Sequence, residues 1–143
     1  MNKFILVIAV LITTPVAAHN GATGIVKERM DGMVLLGKAM KELTALSREN
    51  SIDQAAVAAQ AEIIADHSGD RMLEQFPTDS LQKASEARPS IWQNWEKFAS
   101  LAHELETLAA SLPAQKSPVL LQNALTLTTQ TCASCHKDFR LKK

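Results

Sequence analysis

Thr131-Cys132-Ala133-Ser134-Cys135-His136-Lys137-Asp138-Phe139-Arg140 lies near the end of the chain and holds both of its cysteines. A histidine directly follows the second. Cys-x-x-Cys-His is the attachment signature of c-type haem. Two thiols add across the two vinyl groups of the macrocycle, and the next residue offers an imidazole to the iron. In a helix, Cys132, Cys135 and His136 stand at i, i+3 and i+4, positions that share one face.

Other uses of two such cysteines fit less well. A thioredoxin-like dithiol belongs in a βαβ context, and no strand pattern is present. A structural zinc site takes about four ligands, commonly from two such pairs, and there is no second pair. A simple disulfide, or a thiol–disulfide oxidoreductase without haem, remains open in an oxidising compartment.

Working outward from the motif, its helix starts at Ser117-Pro118, an N-cap followed by Pro at the first helical position. Leu121, Leu125, Thr128, Cys132, Cys135 and Phe139 form one seam, so the cysteines lie on the inward face. Arg140 to Lys143 place cations at the C-terminal end, where the helix dipole favours them.

The segment before it reads as the clearest helix. Ser90-x-x-Gln93 has the form of a capping box. Trp95, Phe98, Ala102, Leu105, Ala109 and Leu112 make a continuous stripe, flanked at its start by Ile91 and Trp92, and His103 lies off it. Residues 71–89 form a long connection. Met72, Leu73 and Phe76 suggest one more helical turn, which Pro77 ends, and Thr78-Asp79-Ser80 has turn chemistry. A second helix is expected from Ser51, where Ser51-x-x-Gln54 again resembles a capping box. It is Ala-rich and ends at His67-Ser68-Gly69, with Gly69 as a left-handed cap. His67 reads as a polar last-turn residue.

The first helix is expected from Gly24 to Ser47. Val26, Met33 and Met40 recur at seven, as do Arg29, Leu36 and Leu43 on the interleaved register. An arginine on such a seam needs a charged partner or a route to solvent. A haem propionate would be such a partner.

At the other terminus, residues 1–18 read as a cleaved secretory signal peptide. Lys3 is the positive start, Phe4 to Ile12 an apolar run too short to span a bilayer, and Val16-Ala17-Ala18 the cleavage site. Export to the periplasm agrees with haem attachment, which takes place outside the bacterial cytoplasm. Residues 19–143 are enough for a single domain. Fifteen Lys and Arg balance fifteen Asp and Glu. No polybasic patch marks a nucleic-acid or membrane-surface binder. Tyr is absent and Ala, Leu, Glu, Gln and Lys are abundant, which favours helix over sheet.

Four amphipathic helices predict an all-α, antiparallel up-down four-helix bundle enclosing one covalently bound haem. With the late Cys-x-x-Cys-His-Lys-Asp-Phe-Arg, Arg29-x-x-x-Met33 in the first helix, and Ile91-Trp92 with Phe98 in the third, the chain resembles the class II c-type cytochromes, the cytochrome c′ and cytochrome c556 family. The resemblance spans essentially residues 19–143. It implies haem c held by thioethers from Cys132 and Cys135, with His136 as proximal iron ligand. Met33 takes the position facing the other side of the iron. Methionine binds there in cytochromes c556, whereas in cytochromes c′ the iron stays five-coordinate. Met30, one turn earlier, is beside the seam, and Met33 as plain core is the remaining alternative. Arg29, Phe98 and Arg140 are candidate pocket residues. The crossover lacks the glycine often seen in the family, so no haem contact is carried over from it. The implied role is electron transfer with periplasmic redox partner proteins, as a possible homodimer through the first two helices. The alternative is five-coordinate binding of nitric oxide or carbon monoxide. No acid–base pair or substrate cleft indicates an enzyme.

Overall fold

The computed structural model describes residues 21–142. The expected signal peptide at residues 1–18 lies outside the described residues. Four long helices carry the fold: α1 (Gly24–Leu46), α2 (Gln54–Asp66), α5 (Trp95–Ser111) and α6 (Pro118–Phe139). Two short ones, α3 (Gly69–Glu74) and α4 (Ser90–Gln93), sit in the connection between α2 and α5. No β-strand is assigned among the described residues.

The long helices pack in a closed circuit, α1 on α2, α2 on α5, α5 on α6 and α6 back on α1. Polar ties at one end fix their antiparallel sense. Gln122 near the start of α6 donates to the Ser47 carbonyl just past α1, at 2.7 Å. Gln54 at the start of α2 donates to the Gln115 carbonyl beyond α5, at 3.0 Å. This is the up-down four-helix bundle expected from four apolar stripes, which find mutual burial only when each helix has two neighbours.

The stripes bury as the heptads require. Val26, Leu36, Leu43, Val57, Ile64, Phe98, Ala102, Leu105, Ala109, Leu121 and Leu125 are all in the interior. Ser117 caps α6 by accepting from the Leu120 amide, at 3.3 Å.

Local signals misled in four places. The cap of α2 is Asp53, whose carboxylate accepts from the Ala56 amide at 3.0 Å; Ser51 lies outside the helix. Asp competes strongly for that role because its side chain reaches the free N–H groups of the first turn. Ser90 does not cap either. It lies inside α4 and its hydroxyl donates to the Asp138 carbonyl at 2.9 Å, a tertiary bond that outcompetes the local one. The helix expected from Ser90 onward is broken at Asn94 (φ −131°, ψ 46°), so α4 and α5 are separate. Trp95, placed on the inner stripe by periodicity, is 37% exposed because it stands at the first residue after that break.

Gly69 is left-handed as expected, at φ +55°, but it opens α3 rather than following α2 directly. Its missing Cβ leaves the space that the Glu106 carboxylate of α5 occupies. A side chain there would both strain the backbone and collide.

Candidate haem site

Antiparallel packing brings the beginning of α1 beside the end of α6. Between them lies a largely apolar cavity of about 590 Å³. Arg29, Met33, Phe98, Cys132, Cys135, His136 and Arg140, the residues singled out from sequence, all line it. They come from three helices and, in Arg140, the residue just past α6, and are separated by up to 111 positions.

The α6 contribution follows from helix geometry. Cys132 and Cys135 face the cavity as free thiols, each half-buried, with exposed His136 at its mouth. Burial raises the Cys132 thiol above its usual range. Cys135 is pushed up to about 11 by burial, with Cys132 and Asp138 adding to the effect. Partial desolvation at the cavity mouth pulls His136 down, Arg140 adds to that, and Glu86 partly opposes it. The shift favours the neutral imidazole, the form that has a lone pair for a metal.

Arg29 faces the cavity from α1 and is only 3% exposed. It does not snorkel. Its guanidinium lies 4.6 Å from the centre of the Phe76 ring and donates through Nη2 to the Ser80 carbonyl. Asp79, left-handed at φ 62°, turns the crossover just before that carbonyl. Arg29 Nε and Nη1 are buried without partners, as is the Ser80 hydroxyl. Burial pushes the guanidinium below its usual value. Buried cationic donors with nothing to donate to are costly, and an anion in the cavity would remove that cost. Haem fits this arrangement: an apolar wall for the macrocycle, a buried cation with two unused donors for a carboxylate, and two free thiols and an imidazole on one helical face.

Phe98 forms the floor. Its ring contacts Phe76 (4.8 Å), Phe139 (5.4 Å) and Trp95 (5.7 Å), the first two edge-on. Met30, Met40 and Met72 line the cavity as well as Met33.

The crossover, from which no contact was carried over, supplies Ser85, Glu86 and Ala87 to the same cavity. It is clipped onto the end of α6 by an antiparallel bridge between Ala87 and Arg140. The Arg88 amide donates to the Phe139 carbonyl at 2.9 Å and the Leu141 amide to the Glu86 carbonyl at 2.7 Å. Side chains reinforce it: Arg140 grips Glu86 through Nε (2.7 Å) and Nη2 (2.6 Å). Lys97 pairs with Asp138 at 2.7 Å and so holds that carboxyl below its usual range. Glu86 and Ser85 carry no motif. Contacts 54 positions apart leave no periodic trace in the sequence.

A four-helix bundle with a Cys-x-x-Cys-His face opening on an apolar cavity defines a c-type haem protein of the bundle kind. The Cytochrome C′ family profile matches residues 24–140, and the chain belongs to that family. It is 33% identical over 127 residues to cytochrome c-556 of Agrobacterium fabrum, covering 85% of this chain and 84% of that protein. To cytochrome c′ of Rhodopseudomonas palustris it is 32% identical over 124 residues, covering 85% of this chain and 84% of the relative. The solved structure of cytochrome c′ from Rhodopseudomonas palustris superposes with a TM-score of 0.76 at 32% identity, over 85% of this chain and 99% of that one. The family is one of covalently bound haem c proteins rather than enzymes.

Proposed function

We propose that the protein is a periplasmic mono-haem electron carrier in which His136 and Met33 are the two axial iron ligands. Cys132 and Cys135 anchor the macrocycle through thioethers. The observation that carries the proposal is that Met33 and His136 line one cavity from facing helices, α1 and α6. When bound, the haem supplies one-electron redox chemistry, and thioether ligation favours its ferrous state. The rest is the work of the chain. Cys132 and Cys135 fix orientation from one side. Met33 is held on the α1 seam, between Val26 and Met40. Arg29 offers Nε and Nη1 to a propionate, and Phe98 with Phe139 excludes water. A ligand pair held by packed helices moves little when charge changes, which suits fast electron exchange.

The five-coordinate, gas-binding alternative rests on one observation, the apolar wall that Met40, Leu36 and Met72 form beside Met33. An absorption spectrum decides between them. The proposal expects low-spin ferric protein with the weak far-red methionine–iron band, and poor carbon monoxide binding by the ferrous form. Met33→Ala should convert the ferric form to high-spin or water-ligated and lower the potential. A wild type already high-spin would move the assignment to the alternative.

Export and self-association belong to the same reading. No helix among the described residues is long and apolar enough to cross a membrane. Val34 and Leu35 are exposed on α1, which would suit a homodimer through α1 and α2. Mass spectrometry of periplasmic holoprotein should find its first residue near His19, and sedimentation should find a dimer at high concentration. An intact Met1 or a monomer throughout would remove these parts.

A further inference from the structure

Glu86 and Arg140 form a two-point ion pair at the cavity rim, beside His136. Arg140 is one helical turn beyond His136, and its amide donates to the His136 carbonyl at 3.1 Å. Glu86 comes from the crossover and is held opposite by the bridge at Ala87, so backbone and side chain together fix the pair. The Glu86 side chain is the more covered of the two, at 25% exposed against 51% for Arg140. Both residues line the cavity.

We infer that Glu86 is a positioning residue that sets the redox potential, by holding and neutralising the Arg140 cation next to the axial histidine. The inference rests on the haem reading above. A positive charge beside the iron disfavours the ferric state, which carries the extra positive charge, and so raises the potential. A carboxylate does the opposite. Paired at hydrogen-bond distance, the two largely cancel. The crossover, generic in sequence, would thus decide how much of the α6 C-terminal charge the iron experiences.

The test is a set of spectroelectrochemical titrations on purified holoprotein. Glu86→Gln keeps the shape of the side chain and removes its charge, leaving Arg140 uncompensated, so the potential should rise. Arg140→Gln takes the cation away from Glu86, and the potential should fall. The double variant should return close to wild type. At a fixed ambient potential, the ferrous-to-ferric ratio should change several-fold in opposite directions for the two single variants, and less so at high salt. A crossover that merely loosened would expose the cavity in both variants and shift both the same way. Shifts of the same sign, or two unmoved potentials, would overturn the inference. The haem reading is checked separately on the same samples, because covalent haem survives denaturing electrophoresis whatever the potential. Its absence from wild type would condemn that reading instead.

Discussion

The two ends of the bundle use the same kinds of helix and reach different outcomes. Where α1 and α5 end and α2 and α6 begin, Leu43, Val57, Ala109, Leu112 and Leu121 are fully buried. A short 3₁₀ turn at Leu112–Ala114 folds over them, and protein atoms alone complete the interior. At the opposite end the seam widens into the cavity. Its lining holds half-buried thiols, flexible methionines and a buried arginine with unused donors. One end is a finished core. The other keeps room, thiols and unused donors that a bound group would satisfy.

The largest effect should come from the anchoring thiols. Replacing both Cys132 and Cys135 by Ala should abolish covalent haem entirely, read as apo mass after expression with active attachment machinery. Retention of haem through acidic organic extraction would defeat the anchoring assignment.

At the finished end, Leu121→Ala removes a fully buried side chain. It should cost about 2–5 kcal/mol in urea unfolding and leave the haem spectrum unchanged. A spectrum that moved as much as the stability would blur the distinction between the two ends.

Arg29→Met should separate the ends more finely. In apoprotein it replaces a buried, half-satisfied cation by an apolar chain of similar length, so stability should rise by about 1–3 kcal/mol. In holoprotein the same change should lower stability, because on the proposed haem reading a propionate would lose its partner. The same sign in both forms would show that Arg29 serves the bundle and not the cofactor.

The smallest effect is a titration. Cys135 is pushed up to about 11 from an ordinary 9.0. A raised thiol pKa favours the protonated folded state. That contribution is fully present below pH 9 and is lost as pH climbs through about 11. In apoprotein, alkylation of Cys135 should be slow at pH 8 and should quicken toward pH 11. A fast reaction at pH 8 would mean that the thiol is more solvated than its burial implies.

Much of the site was legible because its chemistry is local. Cys132, Cys135 and His136 share a face by helical spacing alone, and the place of Met33 on the cavity wall follows from the heptads of α1, whereas its role as a ligand came from the family resemblance and stays a proposal. Caps were less legible, since Ser51 and Ser90 look as good on paper as Asp53 and Ser117. The choice falls to whichever side chain finds a better partner, and Ser90 found the Asp138 carbonyl. The break at Asn94 and the exposure of Trp95 belong with these, because periodicity records a preference for a face and not the continuity of the helix.

The sequence by itself determined four amphipathic helices, their antiparallel bundle, the haem motif and the inward direction of its cysteines. These depend on spacings of three, four and seven residues, which any helix converts into a face. Only the tertiary structure decided that Arg29 is buried against Phe76 and Ser80, and that the crossover walls the cavity. Only it placed Glu86 opposite Arg140. Those contacts join residues about fifty positions apart. Their formation depends on the path of an irregular connection, which no local pattern encodes.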